Sequence, residues 1–128
     1  DSFGHEAGDH VIREVAMIAE KSSRAGDVVA RTGGEEFLLI LPDTTLDEAR
    51  VLAERIRLAI GERPLLVDSQ RIPVTVSLGL ACANGDINLD ELSHEADRAL
   101  YMAKRGGRNR VASVDNKPVH LTATASVD

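Results

Sequence analysis

Val28-Val29-Ala30-Arg31-Thr32-Gly33-Gly34-Glu35-Glu36-Phe37-Leu38-Leu39-Ile40-Leu41 is the stretch whose reading decides the fold. Two short aliphatic runs flank the turn signal Thr32-Gly33-Gly34-Glu35, and Pro42 follows the second run. This pattern predicts a β-hairpin with strands at 28–31 and 37–41, the second stopped by Pro42. Upstream, Ala7 to about Arg24 carries Val11, Val15 and Ile18 in one row, thickened by Ile12, Ala16 and Ala19 at helical spacing. Gly26 and Asp27 separate that helix from the hairpin. Downstream, Asp43, Thr44 and Thr45 offer capping oxygens to a helix from Thr45 to Gly61, with Ala49, Leu52, Ala53, Ile56 and Ile60 as its buried stripe.

Pro64 to Pro73 reads as a connection with a short hairpin around Asp68-Ser69. Val74 to Ala83 alternates, with Val74, Val76, Leu78, Leu80 and Cys82 on one side and Thr75, Ser77, Gly79 and Ala81 on the other. A third helix is expected from Leu89 to Lys104 on the row Leu92, Ala96, Ala99, Leu100 and Ala103, ended by Gly106-Gly107. Arg110 to Val114 would be a last strand. Beyond Asn116 the residues turn small and polar, so 115–128 is expected to be a flexible tail and 1–114 the domain. The element order implies an α/β sandwich, a largely antiparallel central sheet flanked by helices. A strand would ordinarily precede the first helix in this pattern, and the chain is expected to lack it.

A length of 128 residues suits one domain, and 43% hydrophobic residues suffice for one core. Only Tyr101, Phe3 and Phe37 are aromatic, so that core must rest on Val, Ile, Leu and Ala. A formal charge of −6, without a Lys/Arg block, argues against a nucleic-acid surface. Cys82 is the single cysteine, which excludes an internal disulfide and fits a reducing, cytoplasmic compartment. No apolar run reaches the roughly 18 residues of a membrane span, and no signal-like segment opens the chain. The domain is expected to make no membrane contact, whatever anchors its parent.

Several residues carry chemistry, each with an ordinary reading beside it. Gly33-Gly34-Glu35-Glu36-Phe37 could be a plain turn whose glycines supply positive φ. It could also let a triphosphate approach side-chain-free backbone while a carboxylate holds Mg²⁺. Asp9 could be a first-turn aspartate stabilised by the helix dipole, and Lys104 and Arg108 basic residues at a helix C-terminus. Arg24-Ala25-Gly26-Asp27 by itself is a helix-ending Arg with a turn Asp. His5 and His10 do not share a helical face, His94 and His120 have no evident partners, and Cys82 reads as core, so no zinc site is expected.

Taken together, these blocks resemble the GGDEF family of diguanylate cyclases. Gly33 to Phe37 matches the signature with Glu in third place. Phe3-Gly4-His5 and Gly8-Asp9 resemble the segment entering the first helix, and Val74 to Ala81 the central strand. Ala96-Asp97, Ala99-Leu100-Tyr101, Ala103-Lys104 and Gly107-Arg108-Asn109 resemble the closing helix and turn. The resemblance implies a ferredoxin-like, nucleotidyl-cyclase-like fold and condensation of two GTP into cyclic di-GMP across a homodimer, with Mg²⁺ or Mn²⁺. It implies Glu35 as metal-binding carboxylate and Glu36 as its companion near the metals or the attacking 3′-hydroxyl. Asp9 would read guanine, Gly33 and Gly34 would admit the phosphates, and Lys104 and Arg108 would contact them. Asp27 lies six residues before Gly33, the register of the family's inhibitory product site. Arg24 and Asp27 would form that site, with Arg55 as a secondary contact. An upstream sensory or regulatory domain in the parent protein is a further expectation.

The family's first strand carries another metal-binding aspartate, and the loop after it an asparagine that pairs with guanine. Both would precede Asp1, so these 128 residues alone are expected to turn over weakly or not at all. A different class of function stays open beside the enzyme: a non-catalytic member acting as a receptor for cyclic di-GMP or GTP, or as a dimerisation module. An intact Gly33–Phe37 argues against it.

Overall fold

A computed structural model describes residues 4–67, 69–83, 88–113 and 119–128. Phe3, Asp68, Asn116 and the side chains of His5, Cys82 and His120 lie outside what is described. The chain runs α1 (Gly4–Ser22), β1 (Val28–Arg31), β2 (Glu36–Thr44), α2 (Leu46–Gly61), β3 (Leu65–Val67), β4 (Gln70–Ile72), β5 (Val76–Ala83), α3 (Leu89–Arg105), β6 (Val111–Ser113) and β7 (Val119–Val127). Strands order as β1-β2-β7-β5-β6 in one sheet, and β3 and β4 form a separate hairpin. Pairing is antiparallel except between β5 and β6, so the expected mixed α/β architecture with a largely antiparallel sheet is what is found.

The hairpin forms in the expected register, Val28 opposite Ile40 and Arg31 opposite Phe37. β2, however, does not stop at Pro42. It continues to Thr44 through an irregularity between Leu41 and Thr44, where the ladder to β7 is interrupted and no proline N–H is missed. α2 begins where its cap dictates: Thr45 and Glu48 form a reciprocal capping box. α3 is capped by Asn88, whose side chain accepts the Asp90 N–H.

The largest departure is at the C-terminal end. Residues 119–127, expected to fray, form β7 in the middle of the sheet, paired antiparallel to both β2 and β5. The sheet thus reaches past 114, with β7 at its centre. The signal was an alternation of apolar Val119, Leu121, Ala123, Ala125 and Val127. It read as a tail because small hydroxyls are interspersed there, and of these Thr124 is 3% and Ser126 0% exposed rather than solvated.

The main core lies between the sheet and α1 and α2. Phe37, Leu39, Leu41, Val76, Leu78 and Leu80 pack there against Val11, Val15, Ala49, Leu52, Ile56 and Ile60. Tyr101 is exposed, so among the described residues the core is aliphatic apart from Phe37. α3 covers the opposite face through Ala96, Ala99, Leu100 and Ala103. It sits so close to β5 that a Cβ on Gly79 would lie 2.2 Å from the Leu100 nitrogen and 2.3 Å from the Ala96 carbonyl oxygen. No described helix is long and apolar enough to cross a membrane.

Candidate active site

A cleft of about 1040 Å³ opens at the hairpin end of the sheet. Gly8, Asp9, Val11 and Ile12 of α1 form one wall, Arg31 and Gly33 to Glu36 another, and Pro73 to Thr75 with Val127 and Asp128 close it. Its size suits a nucleotide-scale ligand.

The glycines at its rim do not have the conformation a plain turn would require. Among the described residues only Gly26 and Gly107 are glycines with positive φ, so Gly33 and Gly34 are not there for left-handed backbone. Nor are they there for packing. A Cβ on Gly34 would meet nothing within 4 Å, and one on Gly33 only the Glu36 Cβ at 3.8 Å. The two glycines keep the cleft side of the turn clear. The turn itself is closed by the Thr32 and Gly33 amides donating to the Glu36 carbonyl at 3.0 and 3.3 Å.

Arg31, which sequence reasoning passed over, ties the site together. Its Nε donates to the Gly33 carbonyl at 3.1 Å, and its Nη2 to the Gly34 carbonyl at 2.6 Å and to Asp9 Oδ1 at 3.0 Å. Asp9 is thereby fixed to the glycine turn from across the cleft. A side chain two residues before Gly33 on a hairpin strand was the available signal; its partner, 22 residues away, was not legible.

Glu35 is exposed and Glu36 half-buried, both on the cleft. Lys104, from the last turn of α3, approaches Glu36 to 3.9 Å. Arg108, on the turn after α3, pairs with Asp128 at 3.6 Å. Neither cation lines the cleft, but each is paired with a residue that does. Among the described residues no group of three or more His, Cys, Asp or Glu gathers to hold a metal ion by itself. A two-carboxylate set suits Mg²⁺, which takes one or two protein carboxylates and completes its shell with phosphate and water oxygens. His10 pairs with Glu14 at 3.7 Å and has no ligand partners, and His94 is exposed.

The second cluster lies at the other end of α1. The Arg24 amide donates to Asp27 Oδ2 at 2.8 Å, and the Asp27 amide to the Arg24 carbonyl at 3.1 Å. Asp27 is only 2% exposed in its side chain, whereas that of Arg24 is 53% exposed and donates to the Thr44 hydroxyl. Arg55 reaches over from α2 to the Ser22 carbonyl at 3.5 Å. Arg24 and Arg55 are both exposed beside the C-terminal end of α1, and the Asp27 carboxylate accepts from the Arg24 amide.

Residues 1–110 match the family model described as diguanylate cyclase, GGDEF domain. The chain belongs to the GGDEF family. Diguanylate cyclase A of Treponema denticola is 42% identical to this GGDEF domain over 120 residues, covering 92% of this chain but 32% of that protein. The chain thus spans about a third of that relative's length. Among solved structures, the active GGEEF domain of a diguanylate cyclase from Vibrio cholerae aligns with a TM-score of 0.78 at 33% identity, over 91% of this chain and 74% of that one. The GGDEF domain of DgcB from Caulobacter crescentus, in complex with c-di-GMP, aligns at 0.81 and 37%, over 88% and 68%. The Vibrio motif has the same Glu in third place as Gly33–Phe37 here.

Proposed function

We propose that this GGDEF domain is the catalytic unit of a diguanylate cyclase, joining two GTP into cyclic di-GMP and two pyrophosphates. The observation that carries the reading is the glycine turn: Gly33 and Gly34 are demanded neither by backbone conformation nor by packing, and they keep open a cleft flanked by Glu35 and Glu36. Nucleotidyl transfer needs that combination, an unobstructed approach for the triphosphate beside carboxylates that take a cation.

In the reaction a GTP 3′-hydroxyl attacks the α-phosphate of a second GTP; one P–O bond forms, the bond to the β-phosphate breaks, and pyrophosphate leaves. Asp9, oriented by Arg31, accepts from the guanine N1–H and exocyclic amine, a donor pair adenine lacks. Lys104 and Arg108 bind the phosphates. Glu35 and Glu36 would hold Mg²⁺ or Mn²⁺, and the ion would supply charge neutralisation at the phosphoryl group. Glu36, the second acid of the pair, would act near the metals or the attacking 3′-hydroxyl. One cleft holds one GTP, so two copies of the domain must face each other for each bond. Arg24 and Arg55 form the product site, forking onto the phosphates of cyclic di-GMP. In the parent protein an upstream sensory domain would govern how the two copies meet.

The test is incubation with GTP and Mg²⁺ and chromatography for cyclic di-GMP, read as accumulated product because a two-carboxylate site is expected to be slow. Glu35→Gln should lower product at least about 100-fold, the scale on which one preorganised electrostatic group slows turnover. No product from a folded, dimeric sample that still binds cyclic di-GMP would favour the receptor reading. Calorimetry with cyclic di-GMP tests the second site: Arg24→Ala should weaken binding about tenfold, the loss of one charge-assisted contact. Equal affinity would remove the site.

A further inference from the structure

α3 runs out into a turn with unusual backbone. Gly107, Arg108 and Asn109 have φ of +128°, +64° and +47°. Two consecutive side-chain-bearing residues in left-handed space are rare and persist only where the surroundings hold them. Two distant elements do so here. At the end of β7, Asp128 Oδ2 accepts from the Asn109 amide and the Thr75 hydroxyl, each at 2.8 Å, while its Oδ1 accepts from the Ser77 hydroxyl at 2.5 Å. From α2, Arg57 donates to Asn109 Oδ1 at 3.0 Å and is itself gripped through two nitrogens by Glu54. The Asp128 side chain is 6% exposed, and a carboxylate that deep must be well hydrogen-bonded to stay charged.

We infer that Asp128 is a positioning residue for the nucleotide site: it locks the left-handed turn that presents Arg108. The inference rests on the reading above, in which Arg108 contacts the triphosphate. The carboxylate has a second, opposing effect, since at 3.6 Å it also attracts Arg108 to itself. Arg108 is 53% exposed, so that attraction is screened and weak. The hydrogen bond that a nearly buried carboxylate accepts from a backbone amide in a strained turn is the stronger effect. Positioning outweighs competition.

Asparagine and alanine at this position separate the two effects. Asp128→Asn removes the charge but keeps the shape: its oxygen can accept from Asn109 and Thr75, and its amide can donate to Ser77. Affinity for GTP with Mg²⁺, by calorimetry, should stay within about threefold of wild type in Asp128→Asn and fall about tenfold in Asp128→Ala. Amide hydrogen exchange provides a readout independent of nucleotide. Asn109 should exchange at least about tenfold faster in Asp128→Ala alone, with the Leu39 and Leu80 amides unchanged. Should Asp128→Ala fail to fold, Arg57→Ala loosens the same turn from its other side and should weaken GTP about threefold. Tighter GTP binding in both Asp128 variants would mean the carboxylate competes with phosphate, and would overturn the inference. So would fast exchange at Asn109 with unaltered GTP affinity. A wild-type protein that protects Asn109 but binds no GTP would instead sink the nucleotide reading, and the role at that site with it, leaving the clamp measured.

Discussion

Against α1 and α2 the central sheet presents Phe37, Leu39, Leu41, Val76, Leu78 and Leu80, all but fully buried. Against α3 it presents Ser77, Gly79, Ala81, Thr124 and Ser126, equally buried but small. The first face is thick with aliphatic volume and provides most of the apolar burial. The second offers little volume and brings a helix to within backbone contact of a strand. The difference matters for the site because α3 carries Lys104 and leads into the Arg108 turn. One face supplies stability; the other sets where Lys104 and the Arg108 turn stand, the two cations proposed to contact phosphate.

Substitutions of opposite sense test that division. Leu78→Ala opens a cavity on the thick face and should lower stability by about 2–5 kcal/mol in denaturant unfolding. α3 should stay where it is, so GTP affinity measured below the transition should hold. Gly79→Ala adds one methyl on the thin face. Its Cβ would lie 2.2 Å from the Leu100 nitrogen, a backbone atom no rotamer change can move. Its stability loss should be smaller, about 1–3 kcal/mol, but α3 must back away and GTP affinity should fall with it. A neutral Gly79→Ala would break the comparison, and a Leu78→Ala that also lost GTP would blur it.

The same contrast explains what the sequence disclosed. The thick face was legible because Val74, Val76, Leu78 and Leu80 alternate and the helices repeat at 3.6 residues, patterns that arise whenever one side of an element is apolar. β7 escaped because Thr124 and Ser126 are buried on the thin face, and small hydroxyls there look in sequence like solvated tail. Pro42 misled for a related reason: a ladder already interrupted between Leu41 and Thr44 loses nothing to a proline. On the cleft, Gly33 to Glu36 was legible as a contiguous motif and Asp9 through resemblance, whereas Lys104 and Arg108, named by the same resemblance, stand outside the lining. Arg31 and Asp128 were not legible, since each acts through partners 19 or more residues distant that only the fold brings near. Asp27, read as a ligand group, has a side chain only 2% exposed that accepts the Arg24 amide, a partner not legible before the fold.

The smallest expected effect belongs to neither face. The Thr45 hydroxyl accepts the Glu48 amide at 3.1 Å, and Glu48 Oε1 accepts the Thr45 amide at 2.9 Å. Thr45→Ala should cost about 1 kcal/mol by loss of the cap, with α3 and GTP affinity untouched, so it serves as the local control for the packing variants. The box also has a pH signature. The Thr45 backbone N–H, then the Thr45 side chain, and more weakly the Arg24 charge hold the Glu48 carboxyl below its ordinary value. A lowered folded-state value means the carboxylate favours the folded state at neutral pH. That contribution is complete above the ordinary carboxylate range and disappears as pH falls through Glu48's lowered value. Glutamine at this position still accepts from the Thr45 amide but cannot titrate. Thermal midpoints followed from about pH 7 down to about pH 3 should therefore start with wild type above Glu48→Gln and converge as the acid limb is reached. A constant gap would mean that the box holds by shape alone, without the charge.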